Sequence, residues 1–104
     1  MEHMLEDAND IASFVLEAAS YDSFVKSRLY RKAIVMSLLN IGELTKQLPP
    51  EFKLEHNSIP WKKIAGMRDI AAHGYHQMDD EIIWDVAVNS IPDLSNFLYS
   101  QLHN

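Results

Sequence analysis

The 104-residue sequence contains no cysteine, which excludes disulfides, thiolate zinc sites and cysteine nucleophiles. Glycine is scarce, with three residues, and the alternating patterns typical of strands are absent, so helices are expected to dominate. The acidic start MEHMLEDAND lacks the basic residues and apolar run of a signal peptide, and no apolar run approaches the roughly 20 residues that span a bilayer. We therefore expect a cytoplasmic protein without a membrane segment, folded as one domain over residues 1–104.

Basic residues are restricted to the middle of the chain. The formal net charge is −6, yet all nine lysines and arginines lie between Lys26 and Arg68, together with only three of the fifteen acidic residues. This segment therefore carries a formal charge of +6, and the rest of the chain carries −12. A local basic surface can attract phosphate groups over about 8–10 Å despite the acidic total. A chance distribution of solvated charges explains the pattern equally well.

Apolar residues recur at helical spacing in two segments of the N-terminal half. The first is residues 5–19, and a turn is expected near residues 21–22. The second is a long helix over residues 24–44, which ends before a pair of prolines. The connection that follows, residues 49–59, is expected to contain a short helical turn at 51–55.

Two further helices are predicted in the C-terminal half. Pro60 suits the first turn of the third helix, because its missing N–H would lack a helical partner there, and this helix should end at Gly74. Asp79 can cap the fourth helix, which should be kinked near Pro92. The expected fold is therefore all-α, an antiparallel four-helix up-and-down bundle.

The third helix places one arginine among apolar residues. On a helical wheel of about 100° per residue, Arg68 falls between Ile64 and Ala72, which predicts a buried guanidinium that is paired or faces a polar partner. His73, five residues further on, lies on a different face of the helix. Asp69 does share the face of His73 and can accept its ring N–H, orienting the imidazole as a general acid or base near neutral pH.

An arginine and a histidine suit the metal-free cleavage of RNA. The 2′-hydroxyl of RNA attacks the adjacent phosphate, and a histidine can remove the hydroxyl proton or protonate the leaving oxygen. An arginine can bind the phosphate and its developing negative charge. DNA lacks the internal nucleophile, so these two residue types favour RNA as the substrate.

Less specific explanations exist for the same residues. Arg68 can form a buried ion pair, and His73 can be an ordinary residue at a helix end. Tyr75 can be a packing aromatic. His73, His76 and the acidic residues 79–81 also suggest a divalent metal site, although an acidic helix N-terminus accounts for these carboxylates without a metal.

Three segments of the sequence resemble the HepT-type HEPN-domain proteins. They are 41-IGELTK-46, 60-PWKKIAGMRDIAAHGY-75 and 82-IIWDVAVNSIPDL-94, and they occur in the family's order through most of the chain. The resemblance implies a helical bundle, a homodimer and a metal-independent ribonuclease that is the toxin of a toxin–antitoxin pair. It implies no cofactor.

The resemblance also implies roles for individual residues. The family motif is arginine, four residues, histidine, any residue and tyrosine, which makes Arg68 and His73 the catalytic residues. Asp69 occupies the polar position after the arginine and is the supporting residue. Tyr75 would receive AMP from a minimal nucleotidyltransferase antitoxin. Two copies of the third helix in a homodimer would bring both arginines and both histidines to one cleft that binds the RNA substrate.

Two rival functions share this fold. The first is a non-catalytic dimeric module that binds a nucleotide or the nucleotidyltransferase without cutting RNA, and the carboxylate of Asp69, which would repel phosphate, favours it. The second is a purely structural helical dimer, which an ion pair of Arg68 within the core would favour.

Overall fold

The computed structural model describes residues 1–73 and 79–103, with side chains described except at positions 70–73. Every regular element in this part of the chain is helical. The elements are α1 (Glu2–Ala18), α2 (Tyr21–Lys26), α3 (Arg28–Lys46), α4 (Pro50–Glu55), α5 (Trp61–His73), α6 (Asp80–Asp85), a π-helical segment (Val86–Ser90) and α7 (Ile91–His103). The predicted all-α class is therefore confirmed.

Two serines divide the N-terminal half differently from the prediction. The Ser20 hydroxyl accepts the N–H of Ser23 at 3.2 Å, so a short helix begins at Tyr21 where a turn was expected. Ser27 has an extended backbone, and its hydroxyl accepts the N–H of Tyr30 at 3.2 Å. The predicted second helix is consequently two helices, α2 and α3, because a serine cap competes with helix continuation.

The predicted signals of the C-terminal half agree better with the structure. The short turn expected at 51–55 is α4, and Pro60 directly precedes α5. Asp79 caps α6 through its carboxylate, which accepts the N–H of Glu81 at 2.8 Å. The predicted fourth helix is interrupted by the π-helical segment, which ends two residues before Pro92. Such segments are one cause of helix kinks, and the kink expected near Pro92 stays a prediction. Gly74, the predicted end of α5, lies outside the described residues.

The core is formed where the long helices meet. α1 contacts α3 and α7, and α3 also contacts α5. Among the described residues, the fully buried large side chains come from all of these helices and from α2 and α6: Met4, Ile11, Phe24, Ile34, Leu38, Ile41, Ile64, Met67, Ile83, Ile91, Leu94 and Leu98. This arrangement is a helical bundle.

Two further contacts hold the short elements on the bundle. Phe52 of α4 and Trp61 of α5 pack around Phe97 of α7, with ring centroids 5.7–6.1 Å apart. Arg31 of α3 donates from Nε to Asp80 of α6 at 2.6 Å, in a pair that is mostly shielded from solvent. No helix in the described part of the chain is both long enough and apolar enough to cross a membrane.

Candidate active site

The candidate site lies where α3 crosses α5, and one glycine sets the distance between the two helices. Gly42 of α3 is buried against α5. A Cβ added to Gly42 would lie 2.9 Å from Cβ of Arg68, 3.0 Å from its main-chain N and 3.1 Å from the carbonyl O of Ile64. These distances are shorter than ordinary van der Waals contact, so any larger residue at this position would push the two helices apart.

Arg68 lies at the solvent edge of this crossing. Its Nε donates to Oε2 of Glu43 at 2.7 Å, and the two side chains remain 42% and 48% exposed. The prediction that Arg68 is buried was wrong, and of the two expected environments, an ion pair or a polar partner, the structure shows an ion pair. Because the backbones approach so closely at Gly42, the arginine side chain cannot enter the contact and instead follows the outside of α3 to the next residue, Glu43.

Asp69 extends this network to a second cation. Lys46 Nζ donates to Oδ1 of Asp69 at 2.6 Å, and NH1 of Arg68 lies 3.5 Å from the same oxygen. The hydrogen bond from Lys46 is the largest of the effects that lower the pKa of Asp69, with smaller contributions from the Lys46 charge and from Arg68. The carboxylate is therefore ionised at neutral pH, and it offsets part of the positive charge at the crossing.

The other predicted site residues are only partly within the described structure. His73 is the last residue of α5, but its side chain lies outside the described set, and Tyr75 and His76 lie outside it entirely. The predicted contact between Asp69 and the His73 ring therefore stays a prediction. No three histidine, aspartate or glutamate side chains in the described parts of the chain gather as a metal site.

Sequence reasoning missed Glu43 and Lys46 as site residues. Both belong to the segment IGELTK, and Glu43 is one of only three acidic residues in the basic middle of the chain. The available signal for these site residues was a small residue followed by an acid, with a lysine three positions after the acid. It could not identify the partners, because Glu43 and Lys46 contact residues 25 and 23 positions away in the sequence.

The arrangement provides an anchored cation at a solvent-exposed edge. Among the side chains that the structure describes, Arg68 contacts Glu43 and Asp69 through its side-chain nitrogens. A guanidinium group has five N–H donors, so several remain for an anion approaching from solvent. Planar oxyanions such as phosphate match the geometry of these donors.

Comparison with known proteins identifies the family. The sequence matches the family described as ribonuclease HepT-like over residues 4–100. This chain belongs to the HepT-like ribonuclease family. The resemblance found in the three sequence segments is thereby confirmed, and the crossing of α3 and α5 contains two of those segments of the HepT-like fold.

Individual relatives agree with this assignment. A protein of Caldanaerobacter subterraneus subsp. tengcongensis named "Putative RNase" is 40% identical over 94 residues, covering 90% of this chain and 83% of that protein. A protein of Methanocaldococcus jannaschii with the same kind of name is 38% identical over 90 residues, covering 86% and 74%. The "Probable ribonuclease HepT" of Thermococcus cleftensis is 32% identical over 94 residues, covering 90% and 84%. No solved structure matches this HepT-like chain.

Proposed function

We propose that this HepT-like protein is a metal-independent endoribonuclease and the toxin of a toxin–antitoxin pair that acts in the cytoplasm. The observation that carries the proposal is the position of Arg68. Its guanidinium is held by Glu43 at 2.7 Å, at an exposed helix edge, and the chain belongs to a ribonuclease family. An exposed, anchored arginine fits the binding of a substrate phosphate, whereas an arginine needed only for the core would be buried.

The proposed reaction uses the RNA's own 2′-hydroxyl. The O2′ oxygen attacks the adjacent phosphorus while His73 removes the hydroxyl proton, and the bond from phosphorus to O5′ breaks. A protonated imidazole gives its proton to the departing O5′, so the products are a 2′,3′-cyclic phosphate and a 5′-hydroxyl. Arg68 binds the phosphate oxygens and stabilises the charge that develops on them.

The proposed active form is a homodimer. Leu29 and Met36 of α3 are 73% and 59% exposed, and they lie seven residues apart, two helical turns along one face. Glu43 follows seven residues later on the same face, next to Arg68. Pairing this face with its copy would cover both apolar side chains and bring two Arg68 side chains toward one cleft.

The proposed regulation is the transfer of AMP to Tyr75 by a minimal nucleotidyltransferase antitoxin. The Tyr75 hydroxyl oxygen would bond to the α-phosphorus of ATP, lose its proton and release pyrophosphate. The attached phosphate would add negative charge two residues after His73, where it can pair with Arg68 in place of the substrate phosphate.

Purified protein incubated with total RNA tests the nuclease. Cleavage should persist in EDTA and leave 2′,3′-cyclic phosphate ends. Arg68→Ala should lower the rate by about 10²–10³ and His73→Ala by about 10²–10⁴. Lys63→Ala is the matched control, because Lys63 is also a basic residue of α5 but pairs with Asp85 at 2.7 Å. Complete inhibition by EDTA would overturn the metal-free mechanism.

Intact-mass measurement tests the regulation. The protein is incubated with a candidate minimal nucleotidyltransferase, ATP and Mg²⁺. Wild type should gain at least one AMP, and Tyr75→Phe should gain none. Equal labelling of both proteins, or labelling of neither, contradicts the role of Tyr75.

Sedimentation tests the homodimer. Wild type should sediment as a species of twice 11.9 kDa at micromolar concentration, and Met36→Glu should sediment as a monomer. Leu54→Glu is the control, because Leu54 is 75% exposed but lies on α4. A monomeric wild type would exclude a composite site between two copies.

A second candidate is the non-catalytic binding module. The carboxylates of Glu43 and Asp69 both contact the Arg68 guanidinium, and their charges oppose an incoming phosphate. Intact RNA after incubation with wild type, together with tight binding to the nucleotidyltransferase, would favour this module over the nuclease.

A further inference from the structure

A basic concavity lies beside the α3–α5 crossing, between α4 and the N-terminal part of α5. Its volume is about 470 Å³, and it is lined by Lys53, Trp61, Lys62, Ala65, Gly66 and Asp69. Asp69 belongs to both the concavity and the Arg68 network, so the two are adjacent.

The charges in and around the concavity are mostly positive. Lys53 is partly buried and held in place by a hydrogen bond from Nζ to the carbonyl O of Thr45 at 3.3 Å. No carboxylate among the described side chains pairs with it. Lys62 is exposed and has no ion-pair partner within the described residues. Lys46 is bonded to Asp69 and balances the acidic member of the lining. The net positive charge predicts an anionic ligand.

The two consecutive lysines of α5, Lys62 and Lys63, differ in whether an ion pair neutralises their charge. Lys63 points to a different side and is paired with Asp85 at 2.7 Å. Lys62 therefore faces the concavity with no ion-pair partner in the described part of the chain, whereas Lys63 is neutralised by an ion pair.

The floor of the concavity is open down to the backbone of α5. A Cβ added to Gly66 would meet no atom within 4 Å, so this stretch of helix surface is accessible to a ligand. One face of α5, about 60° wide, begins at Lys62 and continues through positions four, seven and eleven residues later. These positions are Gly66, Asp69 and the backbone of His73. They extend over about 16 Å along the helix axis.

We infer that this concavity binds the phosphodiester backbone of the RNA strand beside the scissile phosphate, with Lys62 as the principal phosphate contact and Lys53 as the second. The inference rests on the proposed nuclease function and adds a subsite to it. The strand leaves the scissile position near the end of α5 and continues along the helix toward Trp61. Recognition through phosphates makes the subsite independent of base sequence.

Equilibrium binding of an RNA that cannot be cleaved tests the subsite. The probe is a fluorescent twelve-nucleotide 2′-O-methyl RNA, which has no free 2′-hydroxyl, and binding is followed by anisotropy at several salt concentrations. The loss of one phosphate contact on a single strand corresponds to about eightfold weaker binding near 0.05 M salt and about 1.6-fold near 0.5 M.

Lys62→Ala should show this loss, with the salt slope reduced by about 0.7, and Lys62→Arg should bind like wild type. Lys63→Ala is the matched control and should bind within about twofold of wild type, since its partner already neutralises it. Thermal melting verifies that all variants are folded.

The outcomes separate the subsite from the nuclease. Wild-type affinity in Lys62→Ala, an equal loss in Lys63→Ala, or no binding by wild type would overturn the subsite. If wild type binds the probe and Lys62→Ala binds it with the expected loss of affinity, while natural RNA stays intact, the subsite holds and the proposed cleavage fails. If wild type cleaves RNA but Lys62→Ala binds the probe normally, the nuclease holds and the subsite fails.

Discussion

Gly42 of α3, which faces α5, and Gly66 within α5 show opposite uses of the same residue type. Gly42 lies across from the helix and is enclosed on that side, with Arg68 and Ile64 atoms within 3.1 Å of where its Cβ would lie. Gly66 is within the helix and faces empty space. The enclosed side carries paired charges and determines where Arg68 lies, whereas the open side carries Lys62, which has no ion-pair partner among the described side chains. Close packing at Gly42 thus positions Arg68, and the open surface at Gly66 leaves room for a ligand.

Removing the charged partner on the enclosed side should have the largest effect. In Glu43→Ala, Arg68 loses the 2.7 Å contact that fixes its guanidinium, and a misplaced group lowers the rate of the proposed RNA cleavage by about 10- to 100-fold. Stability should change by less than about 1 kcal/mol, because both partners are more than one third exposed. Cleavage rate and urea unfolding measure the two effects.

Glu51→Ala is the control for this variant, since Glu51 is an exposed acid of the same basic segment but lies on α4. Equal activity losses in both variants would show that Glu43 acts only through overall charge.

Gly42→Ala should destabilise the fold by about 1–2 kcal/mol. Overpacking costs about 1–3 kcal/mol, and the better helix propensity of alanine offsets up to about 1 kcal/mol of it. The atoms that the new Cβ would meet are backbone and Cβ atoms of α5, so no side-chain rotation relieves the clash. Urea unfolding measures the change, and an increase in stability would mean that the helices separate without cost.

Gly66→Ala should stabilise the protein by about 0.5–1 kcal/mol. The position is interior to α5, alanine is the better helix former, and its methyl group meets nothing within 4 Å. The same unfolding assay therefore gives opposite signs for the same substitution at the two glycines. Destabilisation here would show that the open side of α5 is occupied in solution.

The smallest effect should be a pH dependence at Asp69. Its pKa is lowered in the folded protein, so its contribution to stability is present above the unfolded pKa of about 3.9 and is lost as pH falls through the folded pKa. Asp69→Asn should therefore be less stable than wild type at pH 7, and the difference should shrink as pH falls below about 3.9. A difference that does not change with pH would point to packing rather than to charge.

Local signals predicted much of the fold. Asp79, Pro60 and the helical turn in the 49–59 connection each act through their immediate neighbours, and the structure has them as expected. Ser27 was missed because a serine within an apolar helical pattern looks the same whether it caps a helix or lies inside one. Only its extended backbone, which depends on how α2 packs, distinguishes the two cases.

The candidate site was less predictable because it is built from contacts between helices. The wheel of α5 identified Arg68 as unusual but placed it in the core, since a wheel contains no information about how closely another helix approaches. That approach depends on Gly42, and the partner Glu43 is 25 residues away. The family resemblance supplied the roles of Arg68, His73 and Tyr75, which no spacing argument could assign.

Helix α3 positions both α5 and the start of α6. α3 holds α5 through Gly42 and Glu43, and it holds the start of α6 through the 2.6 Å contact between Arg31 and Asp80. These two attachments lie about 18 Å apart along α3. In a genetic selection for loss of the proposed toxicity, substitutions in α3 would therefore be recovered alongside those of the Arg68 motif, although α3 contains no motif residue.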